Sequence, residues 1–409
     1  MDIRPAEFVL DPASHDVHAD CAQLRELGPL VPVEVEGVRA WAATRYSTLV
    51  AVLTHPDLSR EVKYWDPAAK AAAPPNTAVT RLAADTSMLN AEGGAHHRLR
   101  SPVSKSFTAR RVQRLRPRVA EFAAAHLDRL AAMPPGPVDL RLEYAYPIPR
   151  DVISELMGVP DALRDELHEL TDVAARVGDT PDDVTDARKK LYKLLDEIIE
   201  LRRDTPGEDL ITDLIAASEH DGPDRLTRAE VGDTVELLFI AGHVTTVNLI
   251  TNAVRVMLTC PDQLAMVRSG ERSWSEVVEE TMRWDSPIAH FPMRYAVRDV
   301  EIDGVPVRKG EAVIGCFAAA GRDPDQYGAG AACFDLRAAS PAHLSFGHGT
   351  HYCLGAPLAR LEGEVALAAL FEAFPDMRPA DQDSGWRPLG TVLGNSTRYL
   401  PVHLGRRVR

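Results

Sequence analysis

The stretch FGHGTHYCLG, residues 346–355, holds two histidines, one cysteine and three glycines in a chain with five cysteines. His348, His351 and Cys353 are candidate zinc ligands. A structural zinc site takes four ligands, however, and no neighbour supplies the fourth at the usual spacing. A nucleophilic cysteine needs a base and an oxyanion site, and the sequence identifies neither. The residues that follow give a third reading. LGAPLARLEGEVALAALFEAF (354–374) carries a strong helical pattern, with Pro357 in the first turn, where proline is tolerated. Cys353 therefore stands at a helix N-terminus, where backbone N–H groups and the helix dipole favour a thiolate.

Working outward, the 409 residues suffice for a substantial core. Acidic residues outnumber basic ones 60 to 46, for a formal charge of -14. Such a surface repels nucleic acid overall. Cys21, Cys260, Cys316, Cys333 and Cys353 are odd in number, scattered and without a C-x-x-C pair. That argues against a disulfide framework and suits a reducing cytoplasm. The first residues lack the basic start and apolar run of a signal peptide. No stretch reaches about 18 uninterrupted apolar residues, so no membrane partner is expected.

The segment 31–44 alternates valines around Glu36-Gly37, and 300–315 does the same around Asp303-Gly304. Both read as short hairpins. The segments 110–133 and 186–204 read as amphipathic helices with solvated charged faces. Two stretches, 68–79 and 178–186, are rich in small, proline or acidic turn residues and read as loops, plain or acting as lids. No repeat or linker divides the chain. The expectation is one mainly α domain over 1–409 with small β pieces.

The longest helical pattern is 226–261, opened by a Thr227/Glu230 capping box and limited by Pro261. Inside it lies AGHVTT (241–246). Ala241, Gly242 and Thr245 share a face by helical spacing. They either make room for a flat ligand or permit close helix packing. A second capping box, Ser273 and Glu276, opens a helix that brings Glu280 and Arg283 to i, i+3 spacing. Most such pairs are surface ion pairs worth little. His96 and Arg100 stand at i, i+4 and suit a carboxylate or phosphate.

The glycines beside Cys353 let the backbone lie close to something large and flat. A thiolate on a haem iron needs that setting, because hydrogen bonds to sulfur tune its electron donation. Phe346, Gly349, His351, Cys353 and Gly355 resemble the cysteine-ligand loop of the cytochrome P-450 family, F-x-x-G-x-[HR]-x-C-x-G. AGHVTT resembles the oxygen-activating groove of that family's long central helix. Glu280 and Arg283 resemble its E-x-x-R pair, with Arg322 and Phe334 in the region that completes the network. The likeness runs from about Leu30 to the C-terminus. Without an anchor, the chain resembles the soluble bacterial members.

The resemblance implies a helical prism around haem b, with iron held by Cys353 and a cytoplasmic monooxygenase acting on a small-molecule natural product with O₂. It implies cofactor contacts from Leu89, His96, Arg100, Ala241, Arg294, Phe346, Gly347, His351 and Gly355. His96, Arg100, Arg294 and His351 would meet the haem propionates as cations. Glu280 and Arg283 would be structural. The substrate pocket would be lined by Leu237, Ile240, Ala289, His290, Val392 and Leu393. Electrons would come from NAD(P)H through a separate ferredoxin reductase and ferredoxin, docking near Arg360 and the arginines of 110–118. One position departs from the family: Val244 stands where an acid usually precedes the groove threonine, here Thr245. That keeps open an oxidative coupling or dehydrogenation enzyme or a peroxygenase. A binding or sensing protein whose Cys353 holds zinc, or nothing, is the non-enzyme alternative.

Overall fold

The structure, a computed structural model, describes residues 6–175, 181–219, 222, 225–338, 342–380 and 386–408. Its largest sheet has six strands, in the order Phe8–Leu10, Leu30–Val35, Val38–Ala43, Ala312–Cys316, His290–Ala296 and Leu58–Ser59. Both expected hairpins form. Glu36 and Gly37 take φ of 47° and 78°, and Asp303 and Gly304 take 48° and 77°. Positive φ at both central residues is the type I′ turn, whose twist matches that of paired strands. The first hairpin joins the large sheet, with Trp41 registered against Val313. The second stays a separate two-stranded piece.

Helices supply the larger core. The central helix, Arg228–Thr259, has 32 residues, about 48 Å at 1.5 Å per residue. Its capping box is formed: Thr227 N–H donates to Glu230 Oε2 at 2.8 Å and Glu230 N–H to Thr227 Oγ1 at 3.2 Å. It is long and apolar enough to cross a bilayer, but 67% of its most apolar window is buried inside this fold. The core therefore accounts for its apolarity. The helix that follows Cys353 is Ala356–Ala373, and it packs against the central helix and against Arg116–Ala131.

Three expectations need correction. The stretch 68–79 is not a loop: it holds most of one helix, Pro67–Ala72, and the start of another, Ala78–Ala83. Asp66 accepts from Ala68 N–H and Ala69 N–H, and Thr77 accepts from Thr80 N–H, so both starts are capped. The acidic loop is also largely helical. Pro181 opens a helix running to Asp204, while 178–180 lie outside the described residues. Finally, 110–133 is two helices, Ala109–Arg114 and Arg116–Ala131, because Pro117 cannot donate into a continuing ladder.

Candidate active site

The cysteine loop is closed by its own backbone. Cys353 N–H donates to Phe346 O at 2.8 Å, and Gly347 N–H to Leu344 O at 2.6 Å. Gly347 and Gly349 both take φ of 75°, a left-handed conformation that a side chain would strain. Phe346 is buried, with the Arg360 guanidinium 4.5 Å from its ring centroid. Arg100 reaches the loop from the helix Gly93–Ser104, donating to Tyr352 O at 2.5 Å.

Cys353 precedes the helix as expected, but burial pushes its thiol above the ordinary value. The Gly355 N–H, the Arg100 charge, the Ala356 N–H and the Arg360 charge oppose that shift without reversing it. The helix start and the two arginines thus lower the cost of ionising Cys353, against the burial that raises it. Among the described residues no group of three or more His, Cys, Asp or Glu gathers as metal ligands, so the zinc reading finds no ligand set.

The central helix divides AGHVTT between two jobs. Gly242 faces Ile153 of the helix Pro147–Met157, and a Cβ there would stand 2.9 Å from Ile153 Cδ1. That is close packing. His243 is buried on the same side, its Nε2 3.3 Å from Tyr146 O, so it is turned from the groove. Leu237, Ile240, Val244 and Thr245 are only half-buried and Ala241 is exposed. They form an i, i+3, i+4, i+7 stripe midway along a helix whose flanking positions there, such as Leu238, Phe239 and His243, are buried. Such a stripe borders an interior space. Thr245 Oγ1 donates to Ala241 O at 2.8 Å, leaving its oxygen free to accept.

Four of the residues that the sequence brings forward converge elsewhere. His96 and His351 lie against each other with centroids 4.3 Å apart and ring planes inclined at 46°. Arg294, in strand His290–Ala296, donates to Leu58 O at 3.0 Å and lies 3.4 Å from Glu92 Oε1. His351 Nε2 lies 3.4 Å from Glu92 Oε2. Arg60, which sequence reasoning missed, completes the cage: its backbone N–H donates to Glu92 Oε1 at 3.0 Å and its Nη1 to Leu89 O at 3.3 Å. Arg60 Nε, Arg294 Nε and His96 Nε2 are buried and have no hydrogen-bond partner, and His351 Nε2 has only the long contact to Glu92. Buried donors left open in this way call for acceptors. Burial, then nearby positive charge, lowers the pKa of His96. Burial likewise lowers that of His351, against the pull of Glu92. Burial thus opposes protonation of both rings, and the cage's permanent positive charge comes from its arginines.

Glu280 and Arg283 are not a surface pair. Both are buried in the helix Trp274–Trp284. Arg283 Nε and Nη2 donate to the two Glu280 oxygens at 2.8 and 2.6 Å, and its remaining donors reach Gly321 O, Ala331 O and Cys333 O. Arg322 and Phe334 brace the residue after the pair, Trp284, by a cation–π contact at 4.0 Å and an edge contact at 5.9 Å.

The remaining pocket candidates sit at the sheet end. Ala289 N–H donates to Leu393 O at 2.7 Å, tying the start of strand His290–Ala296 to the segment before the C-terminal strand. His290 is buried, Nδ1 unpartnered, and it lines a cleft with Val392 and the N-terminal segment around His18. The expected docking arginines are mostly neutralised: Arg111 pairs with Asp213, Arg116 with Glu364, Arg118 with Glu121 and Arg360 with Glu279.

Comparison with known proteins agrees with this geometry. A family model described as Cytochrome P450 matches residues 274–393, which include the Glu280–Arg283 pair and the cysteine loop. The cytochrome P450 monooxygenase PikC of Streptomyces venezuelae is 37% identical, over 98% of this chain and 92% of its own. The vitamin D(3) 25-hydroxylase of Pseudonocardia autotrophica is 39% identical, over 95% and 94%. The structure of CYP154C4 from Streptomyces sp. W2061 superposes with a TM-score of 0.93 at 39% identity, covering 100% of both chains.

Proposed function

The chain belongs to the cytochrome P450 family and is a monooxygenase, and on that premise we propose that its 409 residues act as one domain that hydroxylates or epoxidises a small-molecule natural product. The family implies a haem iron, and the residues present fit one. The open donors of the arginine–histidine cage match two propionates, the stripe around Ala241 borders the space a flat ring needs, and Cys353 Sγ lies beyond a loop of positive-φ glycines. We assign Cys353 as the iron ligand. Arg60, Arg294, His96 and His351 are assigned to the propionates, with Leu89, Arg100, Ala241, Phe346, Gly347 and Gly355 completing the seat. Bound there, a thiolate-ligated haem supplies the activation of O₂, one atom of which enters the substrate.

The chain's own residues then set two conditions. Leu237, Ile240, Val244, Ala289, Val392 and Leu393 present apolar surface to a substrate, and His290 offers a neutral ring nitrogen to a polar group on it. Thr245 holds a hydroxyl in the groove, but Val244 carries no proton. The substrate, or water that it orders, supplies the missing relay group. Val244 is the observation that carries this reading. Electrons come from NAD(P)H through a ferredoxin reductase and a ferredoxin, which dock beside Arg360 where Arg110 and Arg114 are exposed.

The test is coupling: hydrogen peroxide released per product, with a turned-over substrate and with analogues lacking its hydroxyl or amine. Leakage should rise with the analogues; equal coupling throughout would reject the relay. The same valine favours a second reading, oxidative coupling or another dehydrogenation, in which hydrogens leave the substrate itself. A Val244→Glu variant separates the two. Restored coupling with the analogues supports the relay, whereas no change removes Val244 from the account. A peroxygenase would turn over with hydrogen peroxide alone and consume no NAD(P)H.

A further inference from the structure

This inference rests on the haem seat assigned above. Glu92, at the start of the helix Gly93–Ser104, sits inside the propionate cage, yet it carries the same charge as the groups the cage is assigned to hold. One of its oxygens takes the Arg60 backbone N–H at 3.0 Å and lies 3.4 Å from Arg294 Nη1; the other lies 3.4 Å from His351 Nε2. The arginines are 7% and 6% exposed, whereas the Glu92 side chain is 26% exposed.

Two buried guanidinium groups with no anion would repel each other and lose their hydration. Among the described residues, Glu92 is the carboxylate whose charge offsets both Arg60 and Arg294. Its contacts occupy only part of the polar set: Arg60 Nε, Arg294 Nε and His96 Nε2 remain without a partner around it, and His351 Nε2 has only the long contact to Glu92. A carboxylate that completed the cage would leave no such surplus. One that keeps the arginines ordered until two further carboxylates arrive would leave this pattern. Its partial exposure gives it a path to solvent when they do.

We propose that Glu92 is a placeholder for the haem propionates: a positioning residue that neutralises and orders Arg60 and Arg294 in the haem-free chain and yields its contacts when the cofactor docks. The seat is thereby pre-formed, which lowers the ordering cost of docking. In the loaded protein three carboxylates then share the cage, so Glu92 weakens the hold on the cofactor that it helps to admit.

The opposite role, a carboxylate that orients Arg294 and His351 toward the propionates, predicts the opposite sign. Glu92→Gln and Glu92→Asp should be compared with the wild type by two readouts: transfer of haem from the loaded protein to excess apomyoglobin, and the thermal midpoint of the haem-free chain. Loss of one partly solvated charge should slow haem release about threefold in Glu92→Gln and lower the haem-free midpoint, with Glu92→Asp close to wild type in both. In an Arg60→Met background, Glu92→Gln should lower the haem-free midpoint less. Release at the wild-type rate or faster, a Glu92→Gln chain that never loads, or an unchanged effect in the Arg60→Met background would overturn the proposal. A wild-type chain that loads no haem would instead remove the seat itself.

Discussion

Among the described residues two buried arginine centres stand out, and they are finished differently. Arg283 is sealed: a guanidinium has five N–H donors, and Glu280 with three backbone carbonyls takes all of them. The Arg60–Arg294 centre is open. Each arginine keeps a buried Nε without a partner, and the neighbouring His96 keeps an Nε2. The contrast shows how to separate structure from function among buried charges. A charge whose donors are all met by the chain holds the chain together, and one whose donors are left over is waiting for something outside it.

The largest effect should come from breaking the sealed centre. Arg283→Met leaves Glu280 buried without its partner and three carbonyls without donors, and should cost about 3–5 kcal/mol of unfolding free energy in urea titration, or abolish soluble protein. The open centre should respond in a different quantity. Arg294→Met removes a charged donor from the assigned seat and should weaken haem binding about 10- to 100-fold, while its effect on the haem-free chain's urea midpoint stays well below that of Arg283→Met. If the two variants lose stability equally, the distinction between sealed and open centres fails.

A smaller effect comes from buried histidines outside both centres. Burial lowers His168 and His243 to about 3 and His290 to about 4, from an ordinary value of 6.5. Above pH 6.5 the folded and unfolded chains are both neutral at these rings. As pH falls further, the unfolded chain takes up protons that the folded chain refuses, so stability is lost between about pH 6.5 and about pH 3–4. The urea midpoint of the haem-free protein should therefore fall from pH 7 to pH 5. His168→Gln should make that fall shallower by one proton's share, about 1.4 kcal/mol per pH unit at most. An identical slope would show that His168 does not contribute.

The sequence disclosed what is local. The cysteine loop, both capping boxes and both type I′ turns are set by residues within ten positions of one another. The structure forms all of them because caps and turns are satisfied within their own segment. Arg60 and Glu92 were invisible for the opposite reason. Nothing near Arg60 marks it; it meets Arg294 because strand Leu58–Ser59 pairs with His290–Ala296 across more than 230 positions. The short helices after Asp66 and Thr77 were legible but misread, because prolines and alanines look like loop composition while each helix's polar cap is the signal that decides. The effect of burial on Cys353 and on the cage histidines was also out of reach, since it depends on distant packing.

The account depends most on iron at Cys353, and the absorption spectrum of the reduced, CO-saturated protein tests it directly. The wild type should show the red-shifted Soret band of thiolate ligation, and Cys353→Ser should lose that band even where haem is retained. A Cys353→Ser protein with the wild-type spectrum would contradict the assignment, and the proposed reaction with it.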